Sequence, residues 1–292
     1  MRNSNLLKEC VRWAKCSSPR EREDFWRVFA FERMVKLPVI FTDKSGLKFV
    51  LYPGQNAQVY FKNEGNYEVA EMRYVEGAVR PGMTVIDVGA NIGMYALPLA
   101  RLVGPSGHVH AFEPEDTNYE RLSINLALNR FANVTLNKSA VFSETKTLKL
   151  NLFPDEISSW HSLGMPEMPD PFNPGKMLKP TRVQEVPGVS LDDYCAKQGI
   201  GQVDFLKVDV EGAELEVLQG CRRLFAEDAV KRILFEVSLP QIQGMGHQKT
   251  EIFSLLESAG YTSRPIQSDG TLGEPVKAAG QAYGNYIAAK ES

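Results

Sequence analysis

The chain has 292 residues, of which 43% are hydrophobic and 24% are charged. This is ordinary globular composition, and it excludes a largely disordered, collagen-like or disulfide-scaffold protein. The 33 Lys and Arg residues against 36 Asp and Glu residues give a formal net charge of −3. Because nucleic-acid binders usually carry a strongly basic surface, this balance predicts no nucleic-acid partner.

The sequence predicts a cytoplasmic protein of one or two domains. No apolar run approaches the roughly 20 residues that cross a bilayer, and charged residues interrupt the first 16 positions, where a signal peptide would be apolar. The cysteines match no zinc or redox spacing, so reduced thiols are expected. They are Cys10, Cys16, Cys195 and Cys221.

Residues 1–64 are predicted to form a helical and β-hairpin extension. In residues 1–36, apolar side chains recur at helical spacing on both sides of Pro19. We interpret this stretch as helices that pack on the main domain or on the second subunit of a homodimer, with a membrane-surface helix as the alternative. Residues 37–61 alternate apolar and polar side chains, which predicts a hairpin with turn residues at Pro53-Gly54.

Residues 65–292 are predicted to form an α/β domain. Short apolar strands alternate with amphipathic helices, and this alternation is typical of βαβ units on a mostly parallel sheet. The final two segments have no helix between them and predict a closing antiparallel hairpin. Strands are predicted at 83–88, 108–112, 134–141, 203–208, 232–237, 261–264 and 283–288, and helices at 92–102 and 115–130.

A proline-rich segment interrupts this rhythm. Seven of the 17 prolines fall between Pro154 and Pro187, and that density disfavours a long helix or a central strand. Loops of this length in compact domains are usually lids or binding loops. The segment also contains Trp160 and His161, so we interpret it as a lid that faces the substrate.

The strongest local motif is DVGANIG, residues 87–93, between a predicted buried strand and a predicted helix. Gly89 and Gly93 would let the backbone turn sharply and approach a ligand. Glu113 ends the next strand, 20 residues beyond Gly93, where an acidic residue can hold ribose hydroxyls. The pattern predicts a nucleoside cofactor.

The turn favours S-adenosylmethionine over a dinucleotide. Dinucleotide folds use a middle glycine to make room for the pyrophosphate, and Asn91 occupies that position. Asp87 would repel a phosphate, but it would suit the ammonium group of a methionine moiety. An NAD-dependent oxidoreductase is therefore the disfavoured alternative.

A second motif, VDFLKVDVEGAE, spans residues 203–214. Its strand is predicted to end at Asp209, and ligands of open α/β sheets bind outside the carboxyl ends of strands. We therefore expect Asp209 and Glu211 beside the methyl end of the cofactor. We interpret Glu214 as an acidic residue in the first turn of the next helix, where a negative charge is favourable.

These motifs, with AFEPE before residue 116 and ILFEV at residues 233–237, resemble the FkbM family of S-adenosylmethionine-dependent methyltransferases. The resemblance runs from about Asn66 to about Ala288. It implies a class I methyltransferase fold, with a seven-stranded sheet that has one antiparallel strand, and O-methylation of a sugar or natural-product hydroxyl. The cofactor-binding set that it implies is Glu68, Asp87, Gly89, Ala90, Asn91, Gly93, Glu113, Pro114, Ala140 and Asp209.

Methyl transfer to a hydroxyl needs in-line alignment and a general base. The candidates for the base are Asp209, Glu211, Glu236 and His161. The three carboxylates could also hold a hard cation, but no spacing demands one, so no metal is expected. The alternatives are an N-methyltransferase that acts on an amine or a protein side chain, and a non-catalytic protein that binds S-adenosylmethionine.

Overall fold

The computed structural model describes residues 37–52, 68–166, 168–171, 173, 175–277 and 283–290. The chain divides into two compact units, Met1–Tyr67 and Glu68–Ser292. The helices predicted over residues 1–36, and the contact with a second subunit predicted through them, lie outside the described residues.

The described part of the first unit is a hairpin. Strands β1 (Val39–Thr42) and β2 (Lys48–Leu51) pair antiparallel. Asp43 closes the turn, because its Oδ1 accepts hydrogen bonds from the Leu47 N–H at 2.8 Å and the Ser45 hydroxyl at 2.7 Å. This turn lies between β1 and β2, and the turn predicted at Pro53-Gly54 falls outside the described residues.

The second unit is an α/β domain with two sheets. Its elements in chain order are α1 (Val69–Ala78), β3 (Thr84–Val88), α2 (Ala96–Val103), β4 (His108–Phe112), α3 (Asp116–Asn129), β5 (Val134–Asn137), β6 (Ala140–Val141), β7 (Lys146–Leu152), a 3₁₀ helix (Asp155–Trp160), β8 (Arg182–Val189), α4 (Leu191–Gln198), β9 (Phe205–Val208), α5 (Glu214–Gln219), α6 (Arg222–Ala226), β10 (Arg232–Ser238), α7 (Leu239–Gly244), α8 (Lys249–Ser258), β11 (Thr262–Pro265) and β12 (Tyr283–Ala289).

The main sheet has the strand order β11-β12-β10-β9-β3-β4-β5. Strands β10, β9, β3, β4 and β5 run parallel, and β12 pairs antiparallel with both β10 and β11. The chain thus reverses direction across the sheet between β3 and β9, which is the place where open α/β sheets bind ligands. This topology confirms the predicted class I methyltransferase fold and its closing antiparallel strand.

The central strands are apolar because both of their faces are covered. Ile86 and Val88 of β3, Leu206 of β9 and Phe235 of β10 are fully buried in one core cluster. Helix α2 packs against β3 and β4. The sheet therefore gives a rigid base for the loops at its carboxyl edge.

Two predicted elements have different bounds in the structure. The strand predicted over residues 134–141 divides into β5 of the main sheet and β6 of a second sheet, whose order is β6-β8-β7. The helix predicted from residue 92 begins at Ala96. Positive φ values at Asn91 and Gly93, 48° and 102°, are incompatible with a helix there.

The proline-rich segment contains more regular structure than its composition predicts. Strands β7 and β8 pair antiparallel, from Lys146 opposite Gly188 to Leu152 opposite Arg182. The expectation that no central strand forms is wrong for β8, the middle strand of its sheet. Pro187 is tolerated because β6 pairs only with Gly188 and Val189, so Pro187 has a neighbouring strand on one side alone.

Among the described helices, none combines the length and the apolar character that a membrane span requires.

Candidate active site

The glycine turn after β3 is held against two neighbouring strand ends. The N–H groups of Gly89 and Ala90 both donate to the Phe112 carbonyl oxygen at the end of β4. Gly89 has a φ of 79°, and a Cβ at this residue would lie 1.8 Å from the backbone oxygen of Asp209. The residue is glycine because two backbone segments touch there.

Residue 93 is glycine for a different reason. A Cβ at this position would lie 2.3 Å from Leu97 Cδ1 and 2.8 Å from Leu122 Cδ1. Gly93 therefore lets α2 and α3 pack closely behind the turn. Asn91 takes the left-handed conformation that asparagine tolerates, and its side-chain Oδ1 accepts a hydrogen bond from the Ile92 N–H at 2.7 Å.

Glu113 lies directly beside the turn. Its Oε2 accepts a hydrogen bond from the Asn91 N–H at 2.9 Å, and its Oε1 accepts one from the Glu115 N–H at 3.0 Å. Burial raises the pKa of Glu113 to about 7, although these two donors oppose the shift. Pro114 follows, and its carbonyl oxygen accepts a hydrogen bond from Gln184 Nε2 at 3.3 Å.

A buried lysine connects the turn to β9, and the sequence analysis missed it. Lys207 Nζ lies 3.1 Å from Asp209 Oδ2 and 3.5 Å from Asp87 Oδ1. Burial alone would lower the pKa of Lys207, but the carboxylates of Asp209, Asp87 and Glu68 raise it above its ordinary value. A charged residue inside the apolar run VDFLKV was the available signal, since buried charges are normally paired.

Asp87 has no exposed surface, and both of its carboxyl oxygens are buried. The Lys207 ammonium and the Ala96 backbone N–H are the donors that act on this carboxylate. Burial raises its pKa, and the Lys207 charge opposes this. The Asp87 carboxylate therefore pairs with the Lys207 ammonium. Such a carboxylate depends on its cation, because an unpaired charge in the interior is costly.

Glu68 and Ala140 were predicted from the resemblance alone. Glu68 precedes α1, and its Oε2 accepts a hydrogen bond from the Tyr95 hydroxyl at 2.6 Å. The Tyr95 ring lies 5.1 Å from Lys207 Nζ, so the structure brings Glu68 to the same edge of the sheet. Ala140 instead lies in β6 of the second sheet, buried in an apolar cluster with Phe142 and neighbours.

Three predicted carboxylates meet at the carboxyl ends of β9 and β10. Asp209, Glu211 and Glu236 each have a side-chain oxygen within 4.8 Å of the others, and all three are partly exposed. Hard oxygen ligands of this kind suit Mg²⁺ or Ca²⁺. The expectation of no metal therefore stays a prediction.

The hydrogen-bond partners of Glu211 and Glu236 are neutral. Gln241 Nε2 donates to Glu211 Oε2 at 3.1 Å, and the side chain of Tyr283 is hydrogen-bonded to Glu236. Burial, followed by the charge of Glu236, raises the pKa of Glu211 well above its ordinary value. Burial and the charge of Asp209 do the same to Glu236. Close carboxylates of this kind resist simultaneous ionisation.

Glu214 shapes the loop that carries Asp209 and Glu211. Its Oε1 accepts hydrogen bonds from the Val210 N–H at 3.0 Å and the Gly212 N–H at 3.2 Å. This arrangement agrees with the interpretation of Glu214 as a residue at the helix start. Burial raises the pKa of Glu214 to about 7.

The structure does not bring His161 to the carboxylates. Its Nδ1 accepts a hydrogen bond from the Phe153 N–H at 3.1 Å, and burial lowers its pKa, with Glu115, Asp155 and Arg182 as the charges that act on it. Its neighbour Ser162 does reach the site, because the Ser162 hydroxyl donates to the Glu211 carbonyl oxygen at 2.6 Å. Sequence spacing gave no signal for that contact.

Comparison with protein families identifies a match over residues 87–263 to the methyltransferase FkbM domain. The chain is 31% identical over 201 residues to the 31-O-demethyl-FK506 methyltransferase FkbM of Streptomyces tacrolimicus, covering 63% of this chain and 74% of that protein. It is 32% identical over 197 residues to methyltransferase sdnD of Sordaria araneosa, covering 61% and 73%. A solved methyltransferase FkbM from Methylobacillus flagellatus aligns with a TM-score of 0.43 and 14% identity, covering 98% of this chain and 59% of that one.

Proposed function

Since the chain belongs to the FkbM methyltransferase family, we propose that it transfers a methyl group from S-adenosylmethionine to a hydroxyl of a sugar or natural product. The contact between Gly89 and Asp209 carries this proposal. A Cβ at Gly89 would lie 1.8 Å from the Asp209 backbone oxygen. The turn of residues 87–93, the cofactor turn, therefore touches the loop of residues 209–213, the carboxylate loop. A group bound along the turn would therefore end beside the carboxylates.

The residues at the turn fit S-adenosylmethionine. The Glu113 carboxylate offers acceptors for two ribose hydroxyls, and its two present hydrogen bonds leave further lone pairs free. Lys207, the cation that contacts the turn, is buried and paired with Asp209 and Asp87. It does not serve a pyrophosphate, which supports the choice against a dinucleotide.

We propose for Asp87 a role that differs from the one that the sequence suggests. With no exposed surface, its carboxylate has no open face toward the cofactor amine. We propose that Asp87 acts through Lys207, whose Nζ also donates to the Gly89 carbonyl oxygen at 3.0 Å. In this arrangement Asp87 stabilises the cation that holds the turn.

When bound, S-adenosylmethionine supplies a methyl group that is already activated by its sulfonium. The residues of the chain then have to align the acceptor and take up its proton. As the acceptor oxygen bonds to the methyl carbon, the carbon–sulfur bond breaks with its electron pair on sulfur. The hydroxyl proton passes to Asp209 or to a neighbouring carboxylate, Glu211 or Glu236.

The proline-rich insertion borders the acceptor side of this site in our proposal. Ser162 is bonded to the Glu211 carbonyl oxygen, and the Met165 N–H donates to the Gly244 carbonyl oxygen at 3.0 Å. These contacts fix residues 162–165 against the carboxylate loop and the end of α7. This part of the predicted lid then acts as a wall that selects the acceptor and excludes water, which strengthens the electrostatic interactions inside.

The name of the Streptomyces relative, 31-O-demethyl-FK506 methyltransferase, refers to an O-demethyl substrate, and this supports a hydroxyl acceptor. The test is a screen with radiolabelled S-adenosylmethionine over sugars, polyketides, amines and protein extracts. We expect the labelled methyl group on compounds that carry a hydroxyl. Asp209→Asn should reduce turnover about 10²–10⁴-fold, the usual range for a lost general base.

The alternatives predict other outcomes of that screen. Label on amines or protein side chains would identify an N-methyltransferase. S-adenosylhomocysteine binding without turnover on any acceptor would identify a non-catalytic binding protein. Thermal stabilisation by NAD in place of S-adenosylhomocysteine would contradict the cofactor, since a ligand at 100 times its Kd stabilises by about 2.7 kcal/mol.

A further inference from the structure

Glu211 lies on a backbone that its neighbours hold in an unusual conformation. Its φ is 54° and that of Gly212 is 106°, both in the left-handed region that favours glycine. A Cβ at Gly212 would lie 2.4 Å from the backbone oxygen of Gln241. The carboxylate loop therefore packs backbone to backbone against α7.

Gln241 also contacts the carboxylate of Glu211 directly. Its Nε2 donates to Glu211 Oε2 at 3.1 Å. On the other side of the amide, the Ser238 hydroxyl donates to Gln241 Oε1. Both Ser238 and Gln241 are buried. The two hydrogen bonds therefore form a chain from Ser238 through Gln241 to Glu211, which we call the relay, between the end of β10 and the carboxylate loop.

The direction of this relay has a chemical consequence. A glutamine amide has one donor end and one acceptor end, whereas an ionised carboxylate can only accept. Because the Ser238 hydroxyl occupies the acceptor end of Gln241, the donor end faces Glu211. A donor aimed at a carboxylate favours its ionised form.

The charges around Glu211 act in the opposite sense. Glu236 of β10 faces it, and Asp209 and Glu214 act on it from its own segment. Lys207 of β9 is engaged with Asp209. Gln241 is the described partner whose hydrogen bond offsets this repulsion.

We propose that Gln241, oriented by Ser238, is a positioning residue whose hydrogen bond directs the Glu211 carboxylate into the carboxylate cluster and favours its ionised form. The inference rests on the proposed function, in which this cluster receives the acceptor proton. It adds two residues, Ser238 and Gln241, that act through Glu211 and do not themselves touch the reacting atoms.

The test follows the protonation of Glu211 in the full chain by ¹³C NMR with carboxyl-labelled glutamate. The Glu211 signal is the one that disappears in Glu211→Gln. In Gln241→Met, loss of the donor should shift the protonation equilibrium of Glu211 about tenfold toward the protonated form, which is a rise of about one in its pKa. Gln243→Met, an exposed position on the same helix, is the matched control and should leave the Glu211 titration unchanged.

Ser238→Ala provides a second, smaller change that keeps Gln241 in place. It should shift the Glu211 titration in the same direction. Ser238→Thr, which keeps a hydroxyl, should leave the Glu211 titration as in the wild type. A folded Gln241→Met in which Glu211 titrates as in the wild type overturns the proposal. If Gln241→Met does not fold, an unchanged titration in Ser238→Ala overturns it.

Turnover separates this proposal from the proposed function. With an acceptor from the screen, the acid limb of kcat should move to higher pH in Gln241→Met, and Gln241→Met should have no further effect in a Glu211→Gln background. Equal losses in both backgrounds contradict the relay. Failure of the wild type to bind S-adenosylhomocysteine contradicts the proposed function alone, because the Glu211 titration needs no cofactor.

Discussion

Lys207 Nζ donates a hydrogen bond to the carbonyl oxygen of Gly89 across 3.0 Å, and so ties the middle of β9 to the turn after β3. The same Nζ lies 3.1 Å from Asp209 Oδ2 and 3.5 Å from Asp87 Oδ1. One buried cation thus joins the proposed cofactor turn to the proposed proton acceptor.

Lys207→Met should destabilise the protein by about 3–5 kcal/mol, the usual cost of breaking a buried ion pair, because it leaves Asp87 buried without its cation. Urea unfolding followed by circular dichroism measures this. The double variant Lys207→Met with Asp87→Asn should recover part of the loss. If the double variant is as unstable as the sum of the two single variants, Asp87 and Lys207 are not coupled.

Gly89→Ala should lower both stability and S-adenosylhomocysteine affinity, because its Cβ would overlap the Asp209 backbone. Gly82→Ala is the matched control. Gly82 has a similar φ of 87°, but its Cβ would meet nothing closer than Ser106 Oγ at 3.7 Å, so this variant carries only the backbone strain of about 1–2 kcal/mol. Equal losses of affinity in the two variants, measured by calorimetry, would refute the contact.

The sequence was sufficient to predict the strands of the main sheet and the carboxylates at its carboxyl edge. Hydrophobic periodicity and glycine spacing are local properties, and β3, β4 and Glu113 follow from them directly. The partners of those residues are not local: Lys207 meets Gly89 across 118 positions, and Ser162 meets Glu211 across 49. Gly89 has the positive φ of 79° that a sharp turn needs, but its close approach to the Asp209 backbone is a contact across 120 positions that local spacing does not predict.

Cofactor affinity should depend on pH through Glu113. Its pKa is raised by burial to about 7, and in the proposed site the ribose hydroxyls would donate to its charged form. Binding should therefore weaken about tenfold as the pH falls from 8 to 6. Calorimetry with S-adenosylhomocysteine measures this, and Glu113→Gln should bind more weakly at pH 8 with a flat profile. A variant that keeps the pH dependence of the wild type would remove Glu113 from the cofactor site.

Stability in acid should depend on His110. This histidine is buried, its Nδ1 is hydrogen-bonded to the Tyr194 hydroxyl at 2.8 Å, and burial lowers its pKa to about 4. Between pH 6.5 and 4 the unfolded chain binds a proton that the folded chain does not, so stability falls as the pH falls through that window.

Between pH 7.5 and 4.5, His110→Gln should lose about 2 kcal/mol less stability than the wild type, given 1.36 kcal/mol per pKa unit. Urea unfolding at the two pH values gives this difference, and the measurement at pH 7.5, where His110 is neutral in both states, is the internal control. Parallel pH profiles for the two proteins would show that His110 does not titrate on unfolding.

A crystal structure with S-adenosylhomocysteine tests the central claim most directly. We expect the ribose hydroxyls on Glu113 and the sulfur directed toward Asp209, Glu211 and Glu236, with the nucleoside lying along the turn of residues 87–93. A complex in which the sulfur points away from these carboxylates, or in which the ligand lies outside the turn, would contradict the proposed site.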